Sequence, residues 1–200
     1  MNYKIKTNTE LTPSLAEAYF YRGLLLSKER RYEEAAHDFS RSILLNPLHE
    51  YAYLGRGKML RFLGDYKNEL KDYNKAIKLN PDFAEAYAAR GYFFSCFLEN
   101  EEAMRDFNKA LQLNPDDLET RKERADMLYE EQKYKDALWD YGIIATKKPK
   151  DADSQYDMAL ALFEVGSFQA GKDRLAMAAE LNPFYKDVLE DPYWEEEYGK

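Results

Sequence analysis

The sequence predicts an all-α solenoid in which one helix–turn–helix unit is used five times. Three observations carry that prediction. Six of the seven prolines (Pro13, Pro47, Pro81, Pro115, Pro149 and Pro183) fall 34 residues apart with no insertion. Within each period, apolar and small residues recur at the helical spacing i, i+3, i+4, i+7. The 17 Tyr and 11 Phe supply the bulky apolar bodies that a stack of short helices requires. Units of this size bury their apolar faces only against neighbours, and the array presents an extended concave surface. Binding is therefore the first functional expectation.

Residues 1–13 show no periodicity and are expected to form a flexible N-terminal segment. Residues 14–183 hold the five repeats. The first repeat places Tyr19, Arg22, Gly23 and Leu26 on one helix face and Ala35, Phe39, Ser42 and Ile43 on another. The same offsets give Tyr53, Arg56, Gly57 and Leu60 in the second repeat, and Tyr87, Arg90, Gly91 and Phe94 in the third. Small residues (Gly23, Gly57, Gly91, Ala125, Ala159) mark the places where two helices approach closely. Asn46-Pro47, Asn80-Pro81, Asn114-Pro115 and Asn182-Pro183 read as an N-cap before a first-turn proline. Gly64-Asp65 and Gly166-Ser167 mark turns between the two helices of a repeat.

Departures from the pattern are informative. Glu69 stands where other repeats have Ala or Gly, Arg121 and Gln155 replace the aromatic that opens the first helix, and Lys148 replaces Asn before Pro149. Repeats one to four pair an Arg in the first helix (Arg22, Arg56, Arg90, Arg124) with an Asp in the second (Asp38, Asp72, Asp106, Asp140). Repeat five loses both at once, to Met158 and Arg174. The joint loss predicts an Arg–carboxylate bridge between the helices of each repeat. Residues 184–200 read as a capping segment, with Trp194 over the last helix pair and Glu195-Glu196-Glu197 giving the polar outer face that an array end needs.

These residues resemble the tetratricopeptide repeat, whose pattern is W-x2-L-G-x2-Y, then A-x3-F, then P. Here the first part reads Tyr-x2-Arg-Gly-x2-Leu/Phe in three repeats, and the second appears as Ala35/Phe39, Ala103/Phe107 and Ala137/Tyr141. The resemblance implies a right-handed α-solenoid with a C-terminal capping helix, and a protein–protein interaction scaffold that binds a peptide or helix in its concave groove. The family's carboxylate clamp for acidic chaperone tails would place Lys, Asn, Asn, Lys and Arg at Phe20, Leu24, Gly55, Glu85 and Ala89. None matches, and a shift by one repeat (Leu54, Lys58, Ala89, Glu119, Glu123) fails as well.

Composition narrows the function classes. The formal net charge is −8, which disfavours a nucleic-acid backbone as partner. Charge is unevenly placed: residues 1–100 hold 15 basic against 13 acidic side chains, residues 101–200 hold 14 against 24. The single cysteine, Cys96, allows no intrachain disulfide, and no apolar stretch approaches the length of a membrane span or a signal peptide. A cytoplasmic protein, monomeric and without cofactor or metal, is the expectation. His37 and His49 lie in different helices, and there is no HExxH, GxGxxG or Cys/His cluster, so no catalytic site is expected.

The groove is expected on a second stripe of each first helix. The candidate peptide-binding residues are Phe20, Tyr21, Leu24, Leu54, Lys58, Phe62, Tyr92, Glu123, Asp126 and Tyr156. The first half of this stripe is aromatic and apolar; the second sets seven carboxylates against Lys122, which predicts a basic or amphipathic partner. Two rivals from other classes are a self-assembling structural solenoid and an RNA-binding helical array.

Overall fold

A computed structural model describes residues 8–189, with side chains from 14 to 188. Eleven helices follow one another, with no strand among the described residues. They are α1 (Asn8–Lys28), α2 (Tyr32–Leu45), α3 (Glu50–Phe62), α4 (Tyr66–Leu79), α5 (Ala84–Cys96) and α6 (Asn100–Leu113), then α7 (Leu118–Glu130), α8 (Tyr134–Lys147), α9 (Ala152–Glu164), α10 (Phe168–Leu181) and α11 (Phe184–Leu189). Two compact units hold them, Met1–Asn114 with α1 to α6 and Pro115–Lys200 with α7 to α11. In each, a helix packs on the next in sequence, as an array of helical hairpins does. The fold class is an all-α solenoid of helix–turn–helix repeats with a C-terminal capping helix.

The small residues of the first helices receive the aromatics of the second. A Cβ built on Gly23 would lie 2.9 Å from the Phe39 ring, on Gly57 2.6 Å from Tyr73, and on Gly91 2.8 Å from Phe107. Each repeat of the N-terminal unit is thus closed by a ring seated on helix backbone. Repeat five reverses the arrangement: Phe163 is carried by the first helix and Gly171, on the second, makes the room at 2.7 Å.

The helix ends differ in one respect from the sequence expectation. Asn46, Asn80, Asn114 and Asn182 cap the C-termini of α2, α4, α6 and α10, and their backbone N–H groups donate to Ser42, Ala76, Ala110 and Ala178. The Oδ1 atoms of Asn46, Asn80 and Asn182 accept from the N–H two residues on. That local loop is the turn such side chains favour, so in the first three cases the helix starts three residues beyond the asparagine-proline pair rather than at it. Between the helices of every repeat, the same position adopts positive φ: Arg30 60°, Gly64 75°, Leu98 59°, Gln132 60° and Gly166 77°. Two of these five carry the glycine that this conformation favours.

At the N-terminus, α1 begins at Asn8, ahead of the expected boundary between residues 13 and 14. At the other end α11 seats Tyr185 and Val188 on α9 and α10. Trp194 and Glu195-Glu196-Glu197 lie outside the described residues.

Candidate protein-interaction face

The predicted Arg–Asp bridge is present in all four repeats. Arg22 donates from Nε and Nη2 to Asp38 at 2.5 and 2.6 Å, Arg56 to Asp72 at 2.7 and 2.8 Å, and Arg90 to Asp106 at 2.7 and 2.8 Å. In the C-terminal unit Arg124 holds Asp140 at 2.8 Å through both donors. The carboxylates are buried, and hydrogen bonding to them raises the Arg56 and Arg90 guanidinium pKa above its ordinary value. A third donor reaches the preceding repeat, Arg56 Nη1 to Ser40 and Arg90 Nη1 to Asn74. Arg56 and Arg90 thus join three helices each, which is a structural role.

Repeats four and five fill the gap left by the missing aromatic with a second polar link. Arg121 donates to Asp140 at 2.8 Å and to the Pro115 carbonyl at 2.8 Å. One repeat later Gln155 and Arg174 occupy those two positions with the roles reversed: Arg174 donates to Gln155 Oε1 at 2.9 Å. Glu69, anomalous in the sequence, is wholly buried and accepts from Arg61 Nε at 2.7 Å, while Arg61 lies 4.3 Å over the Tyr92 ring. Burial beside Glu69 raises the Tyr73 phenol pKa.

With the bridges assigned to structure, the exposed face of the first helices remains. In the N-terminal unit α1, α3 and α5 lie side by side. Tyr21 (62% exposed), Leu24, Lys58, Phe62 (60%) and Tyr92 are exposed there, and Tyr51 adds to them. Phe62 stacks on Tyr32 at 4.2 Å between centroids. Two of the expected anchors are packed instead. Leu54 is 7% exposed and lies in a core cluster with Tyr73, Ala76 and Phe83. Phe20 packs between Phe39 and His49, at 5.8 and 4.6 Å. Gly55 leaves room for Phe39, whose ring would be 2.8 Å from a Cβ there.

Several acidic residues of the C-terminal unit are held by partners within it. Lys122 sits 3.0 Å from Asp126 and 2.9 Å from Asp157, and Tyr141 donates its hydroxyl to Asp126 at 2.7 Å. Burial raises the Asp157 pKa despite Lys122, and burial followed by the bond to Asp126 raises the Tyr141 phenol. Glu123 is half-buried and also engaged. Tyr156 stacks on Tyr185 of the capping helix at 4.6 Å, and Tyr185 donates to Asp153. Asp126 and Tyr156 are thus tied into the packing of α7, α8, α9 and α11. Sequence spacing showed their shared stripe but not these partners, which come from other helices.

Cys96 is exposed at the end of α5. Among the described residues no group of three or more His, Cys, Asp and Glu is placed to hold a metal ion, and no helix is long and apolar enough to cross a membrane.

A hairpin array bridged from repeat to repeat, with one open face of aromatic and apolar side chains, defines a helical-repeat protein. Family comparison gives the class its name: tetratricopeptide-repeat models match residues 16–49 and 84–117, and a related TPR-repeat model matches 57–94. The chain carries tetratricopeptide repeats over these residues. Solved structures agree on the fold. PilF of Pseudomonas aeruginosa superimposes with a TM-score of 0.77 at 17% identity, covering 94% of this chain and 90% of its own. YrrB, described as a TPR protein with an unusual peptide-binding site, gives 0.68 at 20% identity over 86% and 87%. The first TPR of Spaghetti (RPAP3), solved with the HSP90 peptide SRMEEVD, gives 0.56 at 23% identity over 59% and 94%. No curated protein matches the sequence.

Proposed function

We propose that this protein is a non-enzymatic interaction scaffold whose first-helix face on α1, α3 and α5 binds apolar or aromatic side chains of a partner protein. The observation that carries this reading is the exposure of Tyr21, Leu24, Phe62 and Tyr92 on the adjacent helices α1, α3 and α5. Large side chains held by rigid helices give contact area at little ordering cost, which is the character of an interface anchor. Two solved relatives described above as peptide-binding support the class of function.

An acidic tail of the SRMEEVD type is not the favoured ligand. The positions that would clamp a carboxylate hold Phe20, Leu24, Gly55, Glu85 and Ala89, and the first and third of these are engaged with the Phe39 ring. A partner carrying an amphipathic helix, its apolar stripe laid on Tyr21, Phe62 and Tyr92, fits better.

The test is capture of partners from the source cell on the wild-type chain and on a Phe62→Ala/Tyr92→Ala variant, followed by binding kinetics on whatever is captured. Loss of contact area should speed dissociation by about tenfold or more while helix content stays native. Unchanged kinetics would move the site off this face. Light scattering over a concentration series separates the self-assembling alternative, since a scaffold of this kind is expected to stay monomeric.

A further inference from the structure

We propose that the outer face of α8 is a second docking site, for an acidic peptide segment of a partner protein that carries one bulky apolar side chain. This site is on the C-terminal unit and does not depend on the face proposed above. Lys135, Leu138, Trp139, Gly142, Ile143 and Lys147 line a furrow of about 440 Å³ along the helix. Trp139 is 72% exposed, an unusual place for the largest apolar side chain.

The repeat itself provides the comparison. At the offset of Trp139 the first three repeats carry His37, Lys71 and Arg105, and at the offset of Ile143 they carry Arg41, Lys75 and Lys109. Three second helices therefore turn a basic pair outward, and the fourth alone turns out an indole and an isoleucine. Packing does not require this, because the hairpins of the first three repeats close with basic residues there, and repeat five has Asp173 and Met177 at the same offsets. The furrow's floor is equally free of internal demand. A Cβ on Gly142 would meet only Met158 Cε, at 4.0 Å, an ordinary contact, so no neighbour forces a glycine into this helix interior. At the same offset the other repeats have Ser40, Asn74, Asn108 and Ala176.

Charge complementarity specifies the occupant. Lys135 and Lys147 stand at the two ends of the apolar stretch, about 18 Å apart along the helix axis. Lys135 makes no ion pair among the described residues, and Lys147 holds only the exposed Asp116, at 2.6 Å. An exposed pair of this kind exchanges readily for another carboxylate. An extended segment of about six residues spans the distance, with carboxylates toward the lysines and one apolar side chain on Trp139 and Ile143 over Gly142.

The probe is a set of labelled nonapeptides with Asp and Glu at both ends and one central Leu, Phe or Trp, read by fluorescence anisotropy. A matched set with Gln and Asn in place of the acids is the control. Binding is expected for the acidic set, with affinity falling about tenfold or more in Trp139→Arg/Ile143→Lys. That variant reproduces the outward residues of repeat three, so it is expected to fold as the parent does, checked by circular dichroism. Lys135→Gln and Lys147→Gln should each weaken binding by a few fold and reduce its salt dependence. The proposal is overturned if no acidic peptide binds below ~1 mM, or if the double variant binds as the parent does. It is likewise overturned if a chain ending at Leu189 binds at least tenfold more tightly, because the chain's own last residues would then be the occupant. Concentration-dependent dimers abolished by the double variant would assign the face to a second copy instead.

Discussion

Arg56 and Asp72, sixteen residues apart, show what a single pair contributes in this array. The aspartate is buried, the arginine partly so, and the geometry is bidentate. Arg56→Met leaves the carboxylate without its partner and releases Ser40 of the preceding repeat. Stability is expected to fall by about 2–4 kcal/mol, between the limits for exposed and fully buried pairs. Urea denaturation measures it, and a loss under about 1 kcal/mol would place the pair in the surface class. Leu98 is the opposite case: a leucine at φ 59° and 85% exposed, where Gly64 and Gly166 stand in other repeats. Leu98→Gly should stabilise the N-terminal unit by about 0.5–1 kcal/mol, because relief of left-handed strain outweighs the added freedom of the unfolded chain. The Arg–Asp bridge was legible in the sequence because its two members vanish together in repeat five. The Gln155–Arg174 link that replaces it was not, since it reverses which helix carries the donor.

At the scale of the element, Phe20 of α1 packs at a tilt against His49, the residue that precedes α3, with ring centroids 4.6 Å apart. Burial lowers the His49 pKa, with Glu50 and Glu17 opposing it more weakly. The unfolded imidazole therefore takes up a proton at a higher pH than the folded one. Stability is expected to decrease as pH falls from the ordinary imidazole value of 6.5 toward the lowered folded value, and to lose nothing further from this group below it. The difference in urea midpoint between pH 7.5 and pH 5.5 should shrink in His49→Gln relative to wild type; an identical difference would remove His49 from the account. Helix pairing and the seats of Phe39 and Phe107 were readable from spacing alone, because one stripe of small residues must face one stripe of rings. The helix starts were misread. Asparagine before proline fits an N-cap in isolation, and only the backbone of the preceding helix reveals it as a C-cap.

For the whole molecule, repetition made the fold legible and hid much of the candidate site. A 34-residue period fixes which positions pack within a hairpin. It is silent on which exposed-looking positions meet the next hairpin, as Leu54 meets Phe83, Phe20 meets His49 and Tyr156 meets Tyr185, and Asp126 is held within its own hairpin by the Tyr141 hydroxyl. What remains open on the N-terminal unit is a smaller set, led by Tyr21, Phe62 and Tyr92. They lie outside the core clusters that hold Leu54, Tyr73 and Phe39, and because Phe62 stacks on Tyr32 and Arg61 lies over Tyr92 the variants are compared at equal helix content. The most direct measurement is the dissociation rate of a captured partner from two variants of equal helix content. One is Phe62→Ala/Tyr92→Ala on the first helices; the other is Arg41→Ala/Lys71→Ala on the second helices. Dissociation about tenfold faster from the first and unchanged from the second is the predicted result. The reverse pattern, or equal rates for both variants and wild type, would contradict binding through the face of α1, α3 and α5.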